Sequence, residues 1–429
     1  MFSLKKAAAG VLSCTMLLGS LVISGCSDSN TSGTQSADNT SNGSSTAHQG
    51  EIKDISSVEL VKDMKIGWSL GNTLDGGNES NRGQDPGSIE KSWGNPDTTK
   101  EMIDEIKKAG FNVLRVPTTW DWSTGEAPEY KISDEWFARV KEIVDYGMEN
   151  DMYVILNIHH ETWHDPLEKN YEAASDRLKK VWTQIGNYFK DYDEHLIFEG
   201  LNEPRVRNSD EEWNGGSDAT REVVNKLDAD FVSTIRSLDG NNKLRHLMIP
   251  GYAASSSEVA LKALKIPEND DKLIVSVHAY IPYNFALSDN KRSNKWVACK
   301  EGFTNDIDNL ADMLKTLFTD KGQAVIIGEF GARSKDNDKY RAEWAKYYVT
   351  KMKTIGVPCV WWDNGAFIGS GELFGLFDRR NLEWRYPLVK DALISASNGE
   401  YTVDGLKSDT AILDELKKDI AQSKNSSAE

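Results

Sequence analysis

Phe198-Glu199-Gly200-Leu201-Asn202-Glu203-Pro204-Arg205 closes an apolar run over 196–200, and Ile326-Ile327-Gly328-Glu329-Phe330-Gly331 closes another over 324–329. Each run leads into a glutamate with no countercharge beside it. A carboxylate in that position gains nothing from packing, because an unpaired charge resists burial. Six more runs of the same kind lie at 64–70, 112–117, 153–159, 247–250, 273–278 and 357–362. All are near-continuously apolar rather than alternating, the pattern of strands buried on both faces of a parallel sheet. Helical stretches separate them. Asp97 is placed to cap one with Met102, Ile103 and Ile106 on its inner face and Gly110 at its end. Ser133 is placed to cap the next, with Trp136, Phe137, Val140, Ile143 and Val144 inward. Eight strands with helices between them predict an α/β chain folded as a (β/α)8 TIM barrel, one domain over 51–397. A doubly wound sheet would carry a glycine-rich phosphate loop after an early strand, and Gly67 to Gly71 lacks that spacing.

A barrel gathers its chemistry at the C-terminal ends of its strands. The runs end in polar groups that packing does not call for: Asn72 and Thr73 after the first, Arg115 within the second, His159 and His160 after the third. Asn202 and Glu203 follow the fourth, His278 and Tyr280 the sixth, Glu329 the seventh, and Trp362, Asp363 and Asn364 the eighth. Two carboxyl groups held at different pKa values supply what glycoside hydrolysis needs. One delivers a proton to the leaving oxygen, and the other places negative charge under the anomeric carbon. Glu203 and Glu329 are the candidate catalytic pair. Arg115 near Glu329 would keep that carboxylate ionised, Tyr280 can donate to it, and His278 can tune Glu203. Asn202, His159 and His160 can bond sugar hydroxyls, and Trp362 can stack under a sugar ring. Glu199 reads as structural, four residues and about 13 Å of extended strand below Glu203. Of the 13 tryptophans, Trp93, Trp122, Trp163, Trp213 and Trp296 lie in polar surroundings and are candidates for sugar stacking.

His160-Glu161-Thr162-Trp163-His164 matches the zinc-protease pattern H-E-x-x-H. That chemistry needs both histidines one turn apart on a helix. Here the motif follows a strand directly and Pro166 opposes a helix, so no metal and no cofactor is expected.

The formal net charge of −17 disfavours nucleic acid and anionic polymers as partners and favours a neutral substrate. Residues 1–25 read as a secretory signal: Lys5 and Lys6, an apolar stretch, then Ile23-Ser24-Gly25-Cys26. That last stretch resembles a bacterial lipobox, with Cys26 as the lipidated first residue of an exported, surface or outer-membrane lipoprotein. Residues 26–50 read as a flexible linker and 398–429 as a partly disordered extension. Only Cys299 and Cys359 remain in the domain; Cys359 reads as a buried thiol, although one bridge between them stays open.

From about 64 to 387 the chain is similar to glycoside hydrolase family 5. The resemblance rests on Gly67-Trp68-Ser69-Leu70-Gly71-Asn72-Thr73, Phe111-Asn112-Val113-Leu114-Arg115-Val116-Pro117, Ile155-Leu156-Asn157-Ile158-His159-His160, Asn202-Glu203-Pro204, Val277-His278-Ala279-Tyr280, Gly328-Glu329-Phe330-Gly331 and Trp361-Trp362-Asp363-Asn364. It implies a retaining endo-β-1,4-glucanase with Glu203 as acid/base and Glu329 as nucleophile. It further implies that Arg115, His159, Asn202, His278, Tyr280 and Trp362 line the cleavage subsite. Ser69 stands where the family commonly has Asn. Ser92-Trp93-Gly94-Asn95-Pro96 and the paired histidines resemble the branch of broad endoglucanases and xyloglucanases. The expected partner is a β-1,4-linked polysaccharide, bound by a monomer that meets the membrane through its lipid only. A β-mannanase on the same site is the alternative activity. A tethered surface glycan-binding lipoprotein is the non-enzymatic alternative, but binding alone needs neither glutamate.

Overall fold

The computed structural model describes residues 48–414, which fall within one compact unit. The signal, Cys26 and nearly all of the linker, together with 415–429, lie outside the described residues. Eight strands form a closed barrel in sequence order: β1 Ile66–Leu70, β2 Val113–Val116, β3 Tyr153–Asn157, β4 Leu196–Glu199, β5 Leu247–Ser255, β6 Leu273–His278, β7 Ala324–Phe330 and β8 Cys359–Asp363. Neighbours pair in parallel, and β8 returns to β1. This is the (β/α)8 barrel that the apolar runs predict. The run at 247–250 is longer than expected. β5 continues past Pro250 to Ser255 through a register shift against β6, because a proline at an irregular point of the ladder need not end a strand.

The helix Asp134–Glu149 starts as expected: the Ser133 side chain accepts from Trp136 N, and all five expected inward residues are buried. The helix Lys100–Ala109 buries Met102, Ile103 and Ile106 and ends on left-handed Gly110. Its N-cap, however, is Thr99 without a side-chain bond. Asp97 instead pairs with Lys91 at 2.9 Å, an ion-pair partner the local sequence gives no reason to rank above the cap.

Two layers fill the barrel. At the N-terminal end Val113, Ile155, Ile197, Met248, Ile274, Ile326 and Val360 make an apolar floor, plugged by Leu60, Val61 and Met64. Burying each such side chain is worth about 1.5–3 kcal/mol. β1 can offer only Gly67 to this layer, since a Cβ there would meet Val360 at 2.7 Å. Two residues further along the strands, on the same inward face, the layer changes to Arg115, Asn157, Glu199, Ser276 and Trp362.

Cys299 and Cys359 are both free, the second buried. Among the described residues no helix is long and apolar enough to cross a membrane. The described part of the C-terminal extension carries a helix, Val403–Ser408, that buries Leu406.

Candidate active site

The polar layer is organised by one guanidinium. Arg115 has no exposed surface. Its Nε donates to Glu199 Oε2 at 2.8 Å, Nη1 to Glu329 Oε1 at 2.6 Å and Nη2 to Asn202 Oδ1 at 2.7 Å. Glu199 also accepts from Asn157 Nδ2 at 3.0 Å and Ser276 Oγ at 2.7 Å. Burial alone would raise the Glu199 carboxyl, but Arg115 and His278 outweigh it and hold it at about 2. Glu199 is therefore a buried anion at neutral pH. It is not some 13 Å below Glu203 as an extended chain would place it: the backbone leaves the strand after Glu199, and both carboxylates face the same imidazole.

That imidazole is His278. Its Nδ1 lies 2.8 Å from Glu203 Oε1 and 3.6 Å from Glu329 Oε2, and its Nε2 lies 3.9 Å from Glu199 Oε1. Burial would lower its pKa, but the surrounding carboxylates, Glu329 first, carry it up to about 9. Burial likewise pushes Glu203 up, yet the hydrogen bond and charge of His278, then the charge of Arg205, hold it below the ordinary glutamate range. Arg205 Nη1 stands 3.4 Å from Glu203 Oε2. Tyr280 Oη donates to Glu329 Oε2 at 2.8 Å. One carboxylate oxygen of Glu203 and one of Glu329 lie within 4.8 Å of each other.

Glu329 reaches this cluster through an irregularity. Ile326 points into the barrel, so simple alternation would turn Gly328 inward and Glu329 outward. Val277 pairs with Ile327 and His278 with Glu329, leaving Gly328 as an extra residue. Such a bulge re-aims the following side chain. Gly328 suits the position, since a Cβ there would meet Ser276 Oγ at 2.8 Å.

On one side of the carboxylates runs a row of rings: Trp362 stacks parallel to His159 at 5.6 Å, His159 meets His160 at 4.3 Å, and His160 meets Trp93 at 5.5 Å. Trp93 is 41% exposed. Asn157 sets the tautomer of His159. Its Oδ1 accepts from Thr118 N at 3.0 Å, so its Nδ2 faces His159 Nδ1, also at 3.0 Å. Nδ1 is then the acceptor and Nε2 carries the hydrogen. Burial pushes His159 well below the usual histidine range and His160 down to about 4. Both are neutral at neutral pH, and His159 is a hydrogen-bond donor. Buried Asp75 lies 4.0 Å from Nε2 of each, and burial pushes its carboxyl up to about 6.

The expected residues Asn202, Glu203, Arg115, Glu329, His278 and Tyr280 are thus in one bonded cluster, with His159, His160, Trp362 and Trp93 alongside. Asn72 lies next to this row with left-handed φ of 55°; its backbone N donates to Asp75 and its carbonyl accepts from Asn95. Trp122 and Trp296 are not stacking surfaces. Both are buried, and Trp296 spends its indole N–H on Phe303 O. Trp163 is half-buried, with its N–H on Glu161. Trp213 is 63% exposed, with the Arg205 guanidinium over its ring at 4.2 Å. The H-E-x-x-H stretch has no helix. Glu161 accepts from Trp120 N and Trp163 Nε1, and His160 groups with Asp75 and His159 rather than with His164. The reading of the sequence missed Asp75, Asn157, Ser276 and Arg205. Asn157 and Ser276 had a signal, each being a polar residue inside an apolar run.

Carboxylate oxygens this close, at the C-terminal mouth of an eightfold barrel, fit the pair of a retaining glycoside hydrolase, since inverting pairs stand roughly 6.5–9.5 Å apart. A family model described as cellulase (glycosyl hydrolase family 5) matches residues 77–367. Endoglucanase B of Neocallimastix patriciarum is 49% identical over 347 residues, covering 80% of this chain and 72% of that protein. Endoglucanase A of Ruminococcus albus is 45% identical over 353 residues, covering 81% and 94%. The solved GH5-4 broad-specificity endoglucanase from Ruminococcus champanellensis with bound cellotriose superposes with a TM-score of 0.77 at 43% identity, covering 80% of this chain and 99% of that one. A family 5 lichenase from Caldicellulosiruptor sp. F32 gives a TM-score of 0.76 at 43% identity, over 81% and 97%. The chain belongs to glycoside hydrolase family 5.

Proposed function

We propose that the protein is a retaining endo-β-1,4-glucanase acting on cellulose-like glucans, mixed-linkage β-glucan or xyloglucan, with Glu329 as nucleophile and Glu203 as acid/base. The observation that carries this reading is the approach of Glu203 and Glu329 to within 4.8 Å, the spacing double displacement requires. Relatives named endoglucanase and lichenase, and a solved relative with cellotriose bound, support the substrate class.

In the first step Glu329 attacks the anomeric carbon while Glu203 gives its proton to the departing glycosidic oxygen. In the second, Glu203 takes a proton from water, the water oxygen bonds the anomeric carbon, and Glu329 leaves as a carboxylate. The free site keeps Glu203 in the carboxylate form, which the second step uses. Substrate that displaces water strengthens desolvation, the influence that raises Glu203, and so favours the acid form needed first. Arg115 and Tyr280 hold Glu329 in line for attack. His159 donates through Nε2 to a sugar hydroxyl, and Trp362, His160, Trp93 and Asn72 line the path of the bound chain.

The test is Glu329→Gln together with Glu203→Ala. The first should abolish glycosylation in a folded protein. The second should still glycosylate on substrates with activated leaving groups and regain turnover with azide. NMR should show the β-anomer as the first-formed product; an α-anomer first overturns the assignment. We further propose an exported lipoprotein, anchored through Cys26 and monomeric, whose Cys26→Ala form is released from membranes with unchanged activity per molecule.

A further inference from the structure

At the opposite end of the barrel from the carboxylates, three segments bring two histidines and two aspartates together. Residues 48–50, the end of the stretch that composition assigns to the linker, are docked there. Asp193 N donates to His48 O at 2.9 Å, Gly50 N to Asp191 O at 3.0 Å and Asn241 Nδ2 to Gly50 O at 2.7 Å. Gln49 bridges to Tyr192. Asp151 ends the turn before β3, and Asp193 and His195 precede β4.

One carboxylate orients both rings. Asp193 Oδ2 lies 2.8 Å from His48 Nδ1, and Asp193 Oδ1 lies 3.0 Å from His195 Nδ1. Ionised Asp193 accepts only, so both Nδ1 atoms carry the hydrogen. Tyr153 stacks on the His195 ring at 4.8 Å and 18°, which fixes its plane. The two Nε2 atoms are left pointing at Asp151 Oδ1, at 3.2 Å from His48 and 3.9 Å from His195. One ligand atom from each of the three residues lies within 4.8 Å of the others. With Nδ1 protonated, a neutral His48 turns a lone pair toward a carboxylate oxygen at hydrogen-bond distance. That contact is repulsive unless a positive species, a proton or a cation, lies between them.

We propose that His48 Nε2, His195 Nε2 and Asp151 Oδ1 form a three-ligand site for a divalent transition metal, zinc above all, that clips the entry of the N-terminal segment to the floor of the barrel. Two imidazoles and a carboxylate suit zinc. Nδ1–H groups held by an outer carboxylate are the usual way a protein orients histidine ligands. Two carboxylates around one dication leave no net charge. Zinc–ligand bonds of about 2.0–2.2 Å set tetrahedral ligand atoms about 3.3 Å apart, so the segments need close only slightly. Asp151 is 76% exposed on its side chain, which leaves a path for the ion and a fourth position for water. The mouth cluster of Asp75, His159 and His160 is a poorer candidate, because Asn157 commits His159 Nε2 to carrying hydrogen.

The test uses the full chain without a polyhistidine tag, stripped with EDTA, and titrated with zinc chloride at pH 7.5 by calorimetry and thermal unfolding. One equivalent should bind and raise the unfolding midpoint. His48→Gln, His195→Gln and Asp151→Asn should each weaken binding tenfold or more and remove the midpoint shift. Asp193→Asn, which keeps all three ligands, should weaken it roughly 10–100-fold. Asp151→Asn lies on an exposed turn and tests the site even if a histidine variant folds poorly. Absence of binding, or zinc binding undiminished in Asp151→Asn and His48→Gln, overturns the proposal and leaves a proton as the species that His48 and Asp151 share.

Discussion

The mouth and the floor of this barrel are built from alternate residues of the same strands, yet they differ in kind. Val113, Ile155, Ile197 and Ile274 become Arg115, Asn157, Glu199 and Ser276 two residues later. The two ends treat a buried arginine differently. Arg115, at the mouth, spends its donors on side chains, two of them carboxylates. Arg245, just before β5 at the floor, gives its donors to the carbonyls of Phe189, Tyr192, Asp193 and Leu196, and burial lowers it to about 9. The floor arginine closes backbone that would otherwise be unsatisfied. The mouth arginine holds anions that stability alone would not collect, because a buried ion network at best repays its desolvation. The difference separates the part of the barrel that folds it from the part that reacts.

The most severe way to break that division is at the carboxylates. Glu203→Ala should cost about 10²–10⁴-fold in kcat on polysaccharide, and Glu329→Gln more, while the protein stays folded, since Arg115 keeps Glu199 as countercharge. Loss of stability in step with activity would show that mouth and floor are not separable. Arg115→Met should damage both properties. It strands Glu199 and Glu329 without their countercharge, at about 3–5 kcal/mol, measured by urea unfolding beside initial rates. The reciprocal change at the floor, Ile197→Ala, should cost about 2–5 kcal/mol and leave kcat per folded molecule unchanged at low temperature.

The two ends also differ in how their stability depends on pH. Glu199 is depressed from 4.5 to about 2, so its contribution is present above pH 4.5 and is lost as the pH falls toward 2. His278 is raised from 6.5 to about 9, so its contribution is complete below 6.5 and is lost as the pH rises through 9. Stability owed to these two groups should be full between about 4.5 and 6.5, and Glu199→Gln should flatten the acid side of the unfolding curve. The apolar floor contributes no such slope. The smallest effect concerns Arg205, whose charge helps to depress Glu203. Arg205→Met should move the alkaline limb of kcat/KM to higher pH; an unmoved limb would remove Arg205 from the control of Glu203.

Much of this was legible in the chain because the strands are apolar on both faces and their polar endings stand out. Glu203, Glu329, Arg115, His278 and Tyr280 could be named from such endings. Asp75 and Arg205 could not, since each is an ordinary loop residue until the fold brings His159, His160 or Glu203 beside it. Trp122 and Trp296 misled for the converse reason: polar sequence neighbours do not fix burial, which depends on distant elements. Asp97 misled because an N-cap competes with ion pairs that local sequence does not rank.

The barrel, the order of its strands and the residue types at its reactive end follow from the chain's own pattern, because apolar periodicity is a local property. Which of those residues meet depends on the folded barrel. The bulge at Gly328 turns Glu329 against the alternation of its own strand. The departure of the chain after Glu199 sets Glu203 beside His278. The pairing of loops far apart in sequence joins His48 to Asp151 and His195. Direction and distance between side chains depend on register and closure, which only the folded barrel imposes.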